Sequence, residues 1–570
     1  MSDNRTSHST SQSPLPVAII GGGITGLTAA WELQKAGVPY VLLEKSERLG
    51  GKIQTERFDG FGDVPFIVER AGDAFLAAQK PWAMELAYEL GLDDQILTTN
   101  PAQPAVHILK DGVLVPVPAG LQLIIPTNRD TFLASPLMSE DGKARVLAEE
   151  VIDPYAGNDD ESVADFVRRR LGDEAVEMLA EPLLSGIYSA HPEEQSLLAT
   201  FPRYRQLEQT YGSLIGGVRK IMEAGRSRGV EEKGRNLTTF MTFVGGTETL
   251  TKALAARLIG TERSIGNMRL AETEQGIGKV RLAETERSIG NMRLAETEQG
   301  IGKVRLAETE QGIGKVRLAE TEQGIGKVRL AETERSIGNM RLGVAVDGLA
   351  RDEAGDYVLR LSNGESMRAS QVLVTTPAAP AAHMLQSVAP SSATQLQKLR
   401  VVSTGVVFLG YRRADVVHPL NGFGVVIPRR EQRSLNATTW MTTKFNHRAP
   451  AEHVLIRVFF GGARTPEMMD KNDDEVLATA RAELRELIGL EAAPVLHRVY
   501  RWINAQPQYD VGHLERMQHI HQGLPAGIHI AGSPYGGVGI PDCVRQAQEA
   551  ARKIVANLHQ NDAIRRTLAS

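Results

Sequence analysis

The stretch VAIIGGGITGLTAAWELQKAGVPYVLLEK, residues 17–45, limits the possible folds of this chain more than any other. Val17–Ile20 is a short apolar run that reads as a buried strand. A glycine turn follows, then an Ala- and Leu-rich segment with helical character, then a second apolar run from Tyr40 to Leu43. Strand, turn, helix and strand in that order make a βαβ unit of an open parallel sheet. Gly21, Gly23 and Gly26 fit G-x-G-x-x-G: the first permits the tight turn, the second lets backbone approach a pyrophosphate, and the third lets helix and strand pack closely. Gly22, Ile24 and Thr25 complete the turn, whose free amides and positive helix end would receive the phosphate. Glu44, closing the second strand, is the acid expected at the ribose hydroxyls.

The next residues, EKSERLGGKIQT, place Lys45, Arg48, Gly50, Gly51 and Lys52 directly after that acid. A nicotinamide enzyme has no general need for a second glycine pair here. The stretch resembles the one that wraps the pyrophosphate a second time in flavoproteins of the amine oxidase and carotenoid desaturase type, which implies FAD. Near the C-terminus, GIHIAGSPYGGVGIPDCVRQAQEAARKIV reads as a strand at Ile528–Ile530, a glycine-rich turn from Gly532 to Gly539, and an Ala-rich helix starting near Pro541 and Asp542. Amides of Val538, Gly539 and Ile540 at the flavin N1/O2 edge would stabilise the anion formed on reduction, and Ser533 is a further expected cofactor contact.

IIGGGITGL, LGGKIQT, ERAGDAFL, RRRLGDEAVEMLAEPLLSGIYSAHPEEQSLLATFP, GGTETL, PQYDVGHLERM and GVGIPDC together resemble the oxygen-dependent protoporphyrinogen and coproporphyrinogen oxidase family of haem synthesis. The resemblance runs through residues 17–260 and 342–557 in unbroken order, and the form resembled is the soluble bacterial one. It implies FAD-dependent oxidation of a porphyrinogen, with oxygen reoxidising the flavin to give hydrogen peroxide and with hand-over to a ferrochelatase-type enzyme. Coproporphyrinogen III is the favoured substrate and protoporphyrinogen IX the second. The resemblance also brings Ala71, Gly72, Asp73 and Ala74 to the flavin, although the family usually has Gly-Pro where this chain has Ala71-Gly72, and it puts Val346 near the adenine half. Ile187 and Tyr188 are candidates for the macrocycle, Lys80 for a propionate, and Trp502 and Tyr509 for walls of the flavin or substrate pocket. Core packing, or for Lys80 simple solvation, is the competing assignment at each. No catalytic side chain or metal ligand is expected, since the flavin accepts the hydride. An amine or polyene oxidase of the same fold, or an inert flavin fold recruiting partners, stays open.

The expected fold class is α/β: a discontinuous Rossmann-like FAD-binding domain at 17–80, 236–260, 342–385 and 520–558, a helix-rich domain at 81–235, and an α+β mixed-sheet substrate domain at 386–519, with tails at 1–16 and 559–570. Residues 261–344 are seven twelve-residue units of the type TEQGIGKVRLAE or TERSIGNMRLAE, expected as an inserted loop. Two glycines in each GIG unit disfavour helix, at about 1 kcal/mol apiece. The formal charge of −5 gives no general attraction to nucleic acid, and Arg168–Arg170 are expected on a solvated face. One cysteine, no secretory leader and no spanning apolar run suggest a cytoplasmic protein, with peripheral membrane contact left open.

Overall fold

The computed structural model describes residues 14–101, 106–227, 238–259 and 339–569, together with the strand residues 268–270, 277–282, 292–294, 301–306, 316–318, 329–330 and 336–337. Its organising element is a six-stranded sheet in the order Ser336–Ile337, Met340–Leu342, β2 (Tyr40–Glu44), β1 (Val17–Ile20), Gln371–Val374 and Ile528–Ile530. Every pairing is parallel except the first. Strands from four separate stretches of chain therefore build one sheet. Because both faces are covered, β1 and Gln371–Val374 are buried along their whole length, and apart from Gln371 they read as apolar runs.

On one face lies helix α1 (Ile24–Lys35), packed against Glu248–Ile259 and the C-terminal helix Ile540–Ala569. Leu27 and Leu33 meet Leu250, Leu254, Val544, Ala547 and Ala551 in one core. The other face is covered by an antiparallel sheet of Val346–Arg351, Tyr357–Leu361 and Ser366–Ala369, followed by helices Ala378–Leu385 and Pro390–Gln397. Asn363-Gly364 forms the hairpin turn, with Gly364 at φ 88°.

A seven-stranded sheet runs in the order Leu496–Pro507, Val401–Arg412, His453–Gly461, Ala437–Trp440, Gly424–Val426, Val106–Lys110 and Val113–Pro116. Its last two strands come from the segment expected to be helical, and Val106–Lys110 pairs parallel to Gly424–Val426. The rest of that segment, from Arg129 to Ser227, is a set of short helices around their own core. The solvated face expected for Arg168–Arg170 holds at Arg168, which is exposed, is partial at Arg169, and is corrected at Arg170. In helix Val163–Leu171 the buried stripe passes through position 170, and Arg170 is fully buried. It is held by the Glu149 carboxylate and by carbonyls of Ile152 and Gly212.

In the repeat block, Met268–Leu270, Met292–Leu294 and Val316–Leu318 form one parallel ladder, and Ile277–Leu282, Ile301–Leu306 and Arg329–Leu330 another. Met268 opposes Met292 and Lys279 opposes Lys303, so a ladder step spans two units of sequence. Strands, not helices, are what the paired glycines leave open.

Candidate cofactor and active site

The N-terminal turn is shaped by contacts that exclude side chains. A Cβ on Gly26 would lie 1.9 Å from the Gly21 carbonyl oxygen, and one on Gly21 would lie 2.6 Å from Thr375 Oγ1. Gly21 also has φ 111°. Gly23 caps α1 in an extended conformation without a side-chain bond, no acid stands in the first turn, and the first helical bond runs from Leu27 N to Gly23 O. The amides of Ile24, Thr25 and Gly26 are thus left for an external acceptor.

The second glycine pair lies against the first. Gly50 N donates to Gly22 O at 2.8 Å, Gly23 and Gly50 form a parallel bridge, and a Cβ on Gly51 would come within 3.0 Å of Gly23 Cα. Arg48, expected at the cofactor, turns back on its own loop: it donates to the carbonyls of Leu49 and Gly51 and stands 3.8 Å from Glu248. Lys45 is exposed. Glu44 accepts from Gly22 N at 2.6 Å, Ser46 N at 2.8 Å and Ser46 Oγ at 2.7 Å. Of the roughly four lone-pair sites on a carboxylate, one is then free for a ribose hydroxyl. Lys52 donates to the Ala505 carbonyl and has no carboxylate partner among the described residues. Burial lowers its pKa, against the opposing influence of Cys543. The exit strand of the repeat block runs alongside: Gly343 N donates to Ser46 O and Val344 N to Glu44 O. Val346 lies in the core behind it, paired with Leu361.

The C-terminal turn reaches the same place, since a Cβ on Gly532 would stand 3.5 Å from Thr25 Oγ1. Side-chain hydrogen bonds hold it, from Gln546 and Tyr509 outside the turn and from Tyr535 within it. Gln546 Oε1 accepts from Gly532 N at 3.1 Å, Tyr535 Oη donates to Thr376 O at 2.9 Å, and the Tyr509 hydroxyl accepts from Gly537 N and donates to Ser533 O, both at 2.6 Å. The Ser533 carbonyl is therefore engaged by protein. Cys543, in the first turns of the helix that follows, has its thiol pushed up to about 11 by burial. Lys80, expected at a propionate, pairs within the protein: its ammonium lies 2.7 Å from Asp542 Oδ2 in the first turn of that helix, where acid and helix dipole favour each other.

The Ala71–Ala74 loop rests on an ion cluster. Asp73 pairs with Lys444 at 2.8 Å and Arg457 at 3.0 Å, and Arg457 also donates to Ala71 O. Burial alone would raise the Asp73 carboxyl, but these two cations hold it well below the usual carboxylate range. Gly72 O accepts from Thr247 Oγ1, and Ala74 is half-buried. Asp73 thus anchors the loop in protein where a cofactor contact was expected. Trp502 donates from its indole to Arg70 O at 2.8 Å, at the foot of the same loop. Tyr188 is buried against Tyr509, with ring centroids 5.9 Å apart, and clusters with Val538, whereas Ile187 beside it is 51% exposed. Tyr188 is therefore core and Ile187 is the open apolar group. Lys444 carries no motif, but the arginine inside HVLIRVFF was a visible sign of a buried partner.

These residues fit a dinucleotide. A helix start with free amides, a cradle too close for a Cβ at Gly21 and Gly26, and a half-buried ammonium without a counter-charge among the described residues all call for a diphosphate, and Glu44 for a sugar hydroxyl.

The sequence model for flavin containing amine oxidoreductases matches residues 24–555. The coproporphyrinogen III oxidase of Bacillus subtilis (strain 168) is 30% identical over 94% of this chain and 96% of its own, and that of Propionibacterium freudenreichii is 29% identical over 95% and 90%. A crystal structure from Exiguobacterium sp. 255-15, provisionally assigned as a protoporphyrinogen oxidase, superposes with a TM-score of 0.70 at 27% identity, covering 96% of this chain and 99% of the other. A putrescine oxidase shares the fold at a TM-score of 0.61 and 15% identity, covering 95% and 99%. With its glycine turns and sheet order in place, this chain belongs to the flavin-containing amine oxidoreductase family and is an FAD-dependent oxidoreductase.

Proposed function

We propose that this enzyme oxidises a porphyrinogen in haem biosynthesis, taking coproporphyrinogen III to coproporphyrin III in preference to protoporphyrinogen IX, with three oxygen molecules reduced to three of hydrogen peroxide. The reading is carried by the similarity to bacterial coproporphyrinogen III oxidases, which extends over more than nine tenths of the chain. When bound, FAD supplies a two-electron acceptor at N5 that oxygen can reoxidise.

The residues of the site divide the remaining work. Gly21–Gly26 and Gly50–Lys52 bind the diphosphate, and Glu44 orients the ribose. Val538, Gly539 and Ile540 turn their amides toward the flavin ring, where negative charge develops on reduction. Ile187, exposed next to buried Tyr188, offers apolar surface to the macrocycle. A porphyrinogen C–H between two electron-rich pyrroles is already a good hydride donor, so the protein's task is to position it. Tyr188 and Tyr509, whose hydroxyls burial holds far from ionisation, suit a site that excludes water and has no need of a strong base. Among the described residues no helix is long and apolar enough to cross a membrane, which accords with a cytoplasmic enzyme passing its product to a metal-inserting partner.

The test is porphyrin fluorescence. Coproporphyrinogen III incubated aerobically with the yellow protein should become fluorescent faster than protoporphyrinogen IX does. Fluorescence from neither would remove the reading.

A further inference from the structure

We infer that Tyr509 is a positioning residue whose hydroxyl holds the turn Gly532–Gly539 in the form that presents the Val538–Ile540 amides, and thereby sets the reduction potential of the flavin. The inference rests on the proposed placement of that turn at the flavin ring.

The geometry is specific. One hydroxyl grips both ends of the sequence Ser533–Gly537, donating to the Ser533 carbonyl and accepting from the Gly537 amide, each at 2.6 Å. Its single proton is thereby committed, and one of its acceptor positions is filled. No other side chain among the described residues bonds either group: Gln546 holds Gly532, and Arg545 holds the Gly536 carbonyl. The site is buried, so without the hydroxyl an amide and a carbonyl would be left unpaired away from water and the turn would rearrange to satisfy them.

Tyr509 is itself rigidly seated. Its ring stacks on His513 with centroids 4.1 Å apart and planes 14° from parallel, and is tilted against Tyr188 on another side. Its carbonyl accepts from Ser196 N at 2.8 Å, and the neighbouring Asp510 bridges to Gln195. His513 Nε2 lies 3.3 Å from the Tyr535 carbonyl, in the middle of the same turn. A hydroxyl fixed by ring stacking, by the helical segment and by the turn is suited to fixing dipoles where charge appears.

The variant Tyr509→Phe keeps the ring and removes only the hydroxyl. It should retain a full complement of FAD by visible absorbance, while the two-electron midpoint potential falls by roughly 30 mV, the equivalent of a tenfold change. Tyr204→Phe is the control: that tyrosine is also buried, its hydroxyl has no partner among the described residues, and its loss should leave the potential unchanged. Tyr509→Phe with full FAD and the wild-type potential would overturn the inference. Should Tyr509→Phe fold poorly, His513→Leu decides, since it keeps the hydroxyl but frees the ring: a smaller fall supports the inference, and an unchanged potential with full FAD overturns it. Gly537→Ala separates the two layers of the argument. If it shifts the potential and Tyr509→Phe does not, the role of Tyr509 alone fails. If neither does, the placement of the turn at the flavin fails as well.

Discussion

Both ends of the chain bring a glycine-rich turn and a helix start to the same site, and the two are built by different means. The N-terminal turn is governed chiefly by close backbone approaches, Gly26 on the Gly21 carbonyl and Gly51 on Gly23, with the Glu44 carboxylate accepting from Gly22 N and Thr375 Oγ1 donating to Gly21 O. The C-terminal turn is held by side-chain hydrogen bonds: Tyr509 and Gln546 reach it from other segments, and its own Tyr535 donates to the Thr376 carbonyl. The first depends on the absence of atoms, so one added methyl damages it. The second depends on the presence of distant groups, so it can be adjusted in small steps. A rigid diphosphate anchor and a tunable contact to the reacting ring are different requirements, and the two constructions match them.

The largest expected effect is at the rigid turn. Gly26→Val would drive a branched side chain into the Gly21 carbonyl, where even a Cβ would lie at 1.9 Å. The purified variant should be colourless, having lost about 3 kcal/mol or more of stability, the upper end for overpacking. A yellow variant with normal FAD content would mean that this turn is as adaptable as the other.

Next is Asp73→Asn, which leaves Lys444 and Arg457 facing an uncharged amide. A loss of about 2–3 kcal/mol is expected at pH 7 by chemical denaturation, on the scale of hydrogen bonds to charged groups. The sign of its pH dependence follows from the depressed carboxyl pKa. The stabilisation from Asp73 is complete above the unfolded value of about 4 and fades as pH falls through the lower folded value. The gap between wild type and variant should therefore narrow on acidification below about pH 4.

Gly537→Ala tests the adaptable turn. The new Cβ would stand 2.4 Å from Asp542 Cγ, and the backbone at φ 128° resists a side chain, but Asp542 can shift. About 1–3 kcal/mol is expected, with FAD retained and its potential changed. Complete loss of FAD would erase the contrast between the turns.

The smallest effect is reserved for the repeats. Removing residues 261–332 leaves one unit leading into Met340–Leu342. FAD content and turnover should match wild type, and shortening the connection should raise stability by no more than ~1–2 kcal/mol. Loss of either property would make the block a structural part of the flavin domain.

The glycine turns were legible in sequence because there the residue type is itself the geometric constraint: no other residue fits the close approaches of Gly21, Gly26 and Gly51. The βαβ unit and the returning strand Gln371–Val374 were legible through their apolar runs. What escaped were pairings set by the tertiary fold. Lys80 meets Asp542 from 462 positions away, and Asp73 meets Lys444 and Arg457 from 371 and 384. Each of these charges looks solvated in isolation, as Arg170 did, and only the packing of distant segments removes the water. The edge hairpin Val106–Pro116 was hidden similarly, because its sheet partner, Gly424–Val426, lies some three hundred residues on.

The six-stranded sheet carries a consequence for synthesis. Its strands are translated in four instalments, and the outermost, Ile528–Ile530, comes last of the six. A domain normally folds as a unit as its chain emerges, and pairing across long separations is slow. Here β1 and β2 leave the ribosome early and must wait, apolar on both faces, for partners encoded hundreds of codons later. The cofactor can be captured only after Ile528–Ile530 and the turn behind it have been made, so the interval before then is when a nascent chain of this enzyme is most exposed to aggregation and most in need of a chaperone.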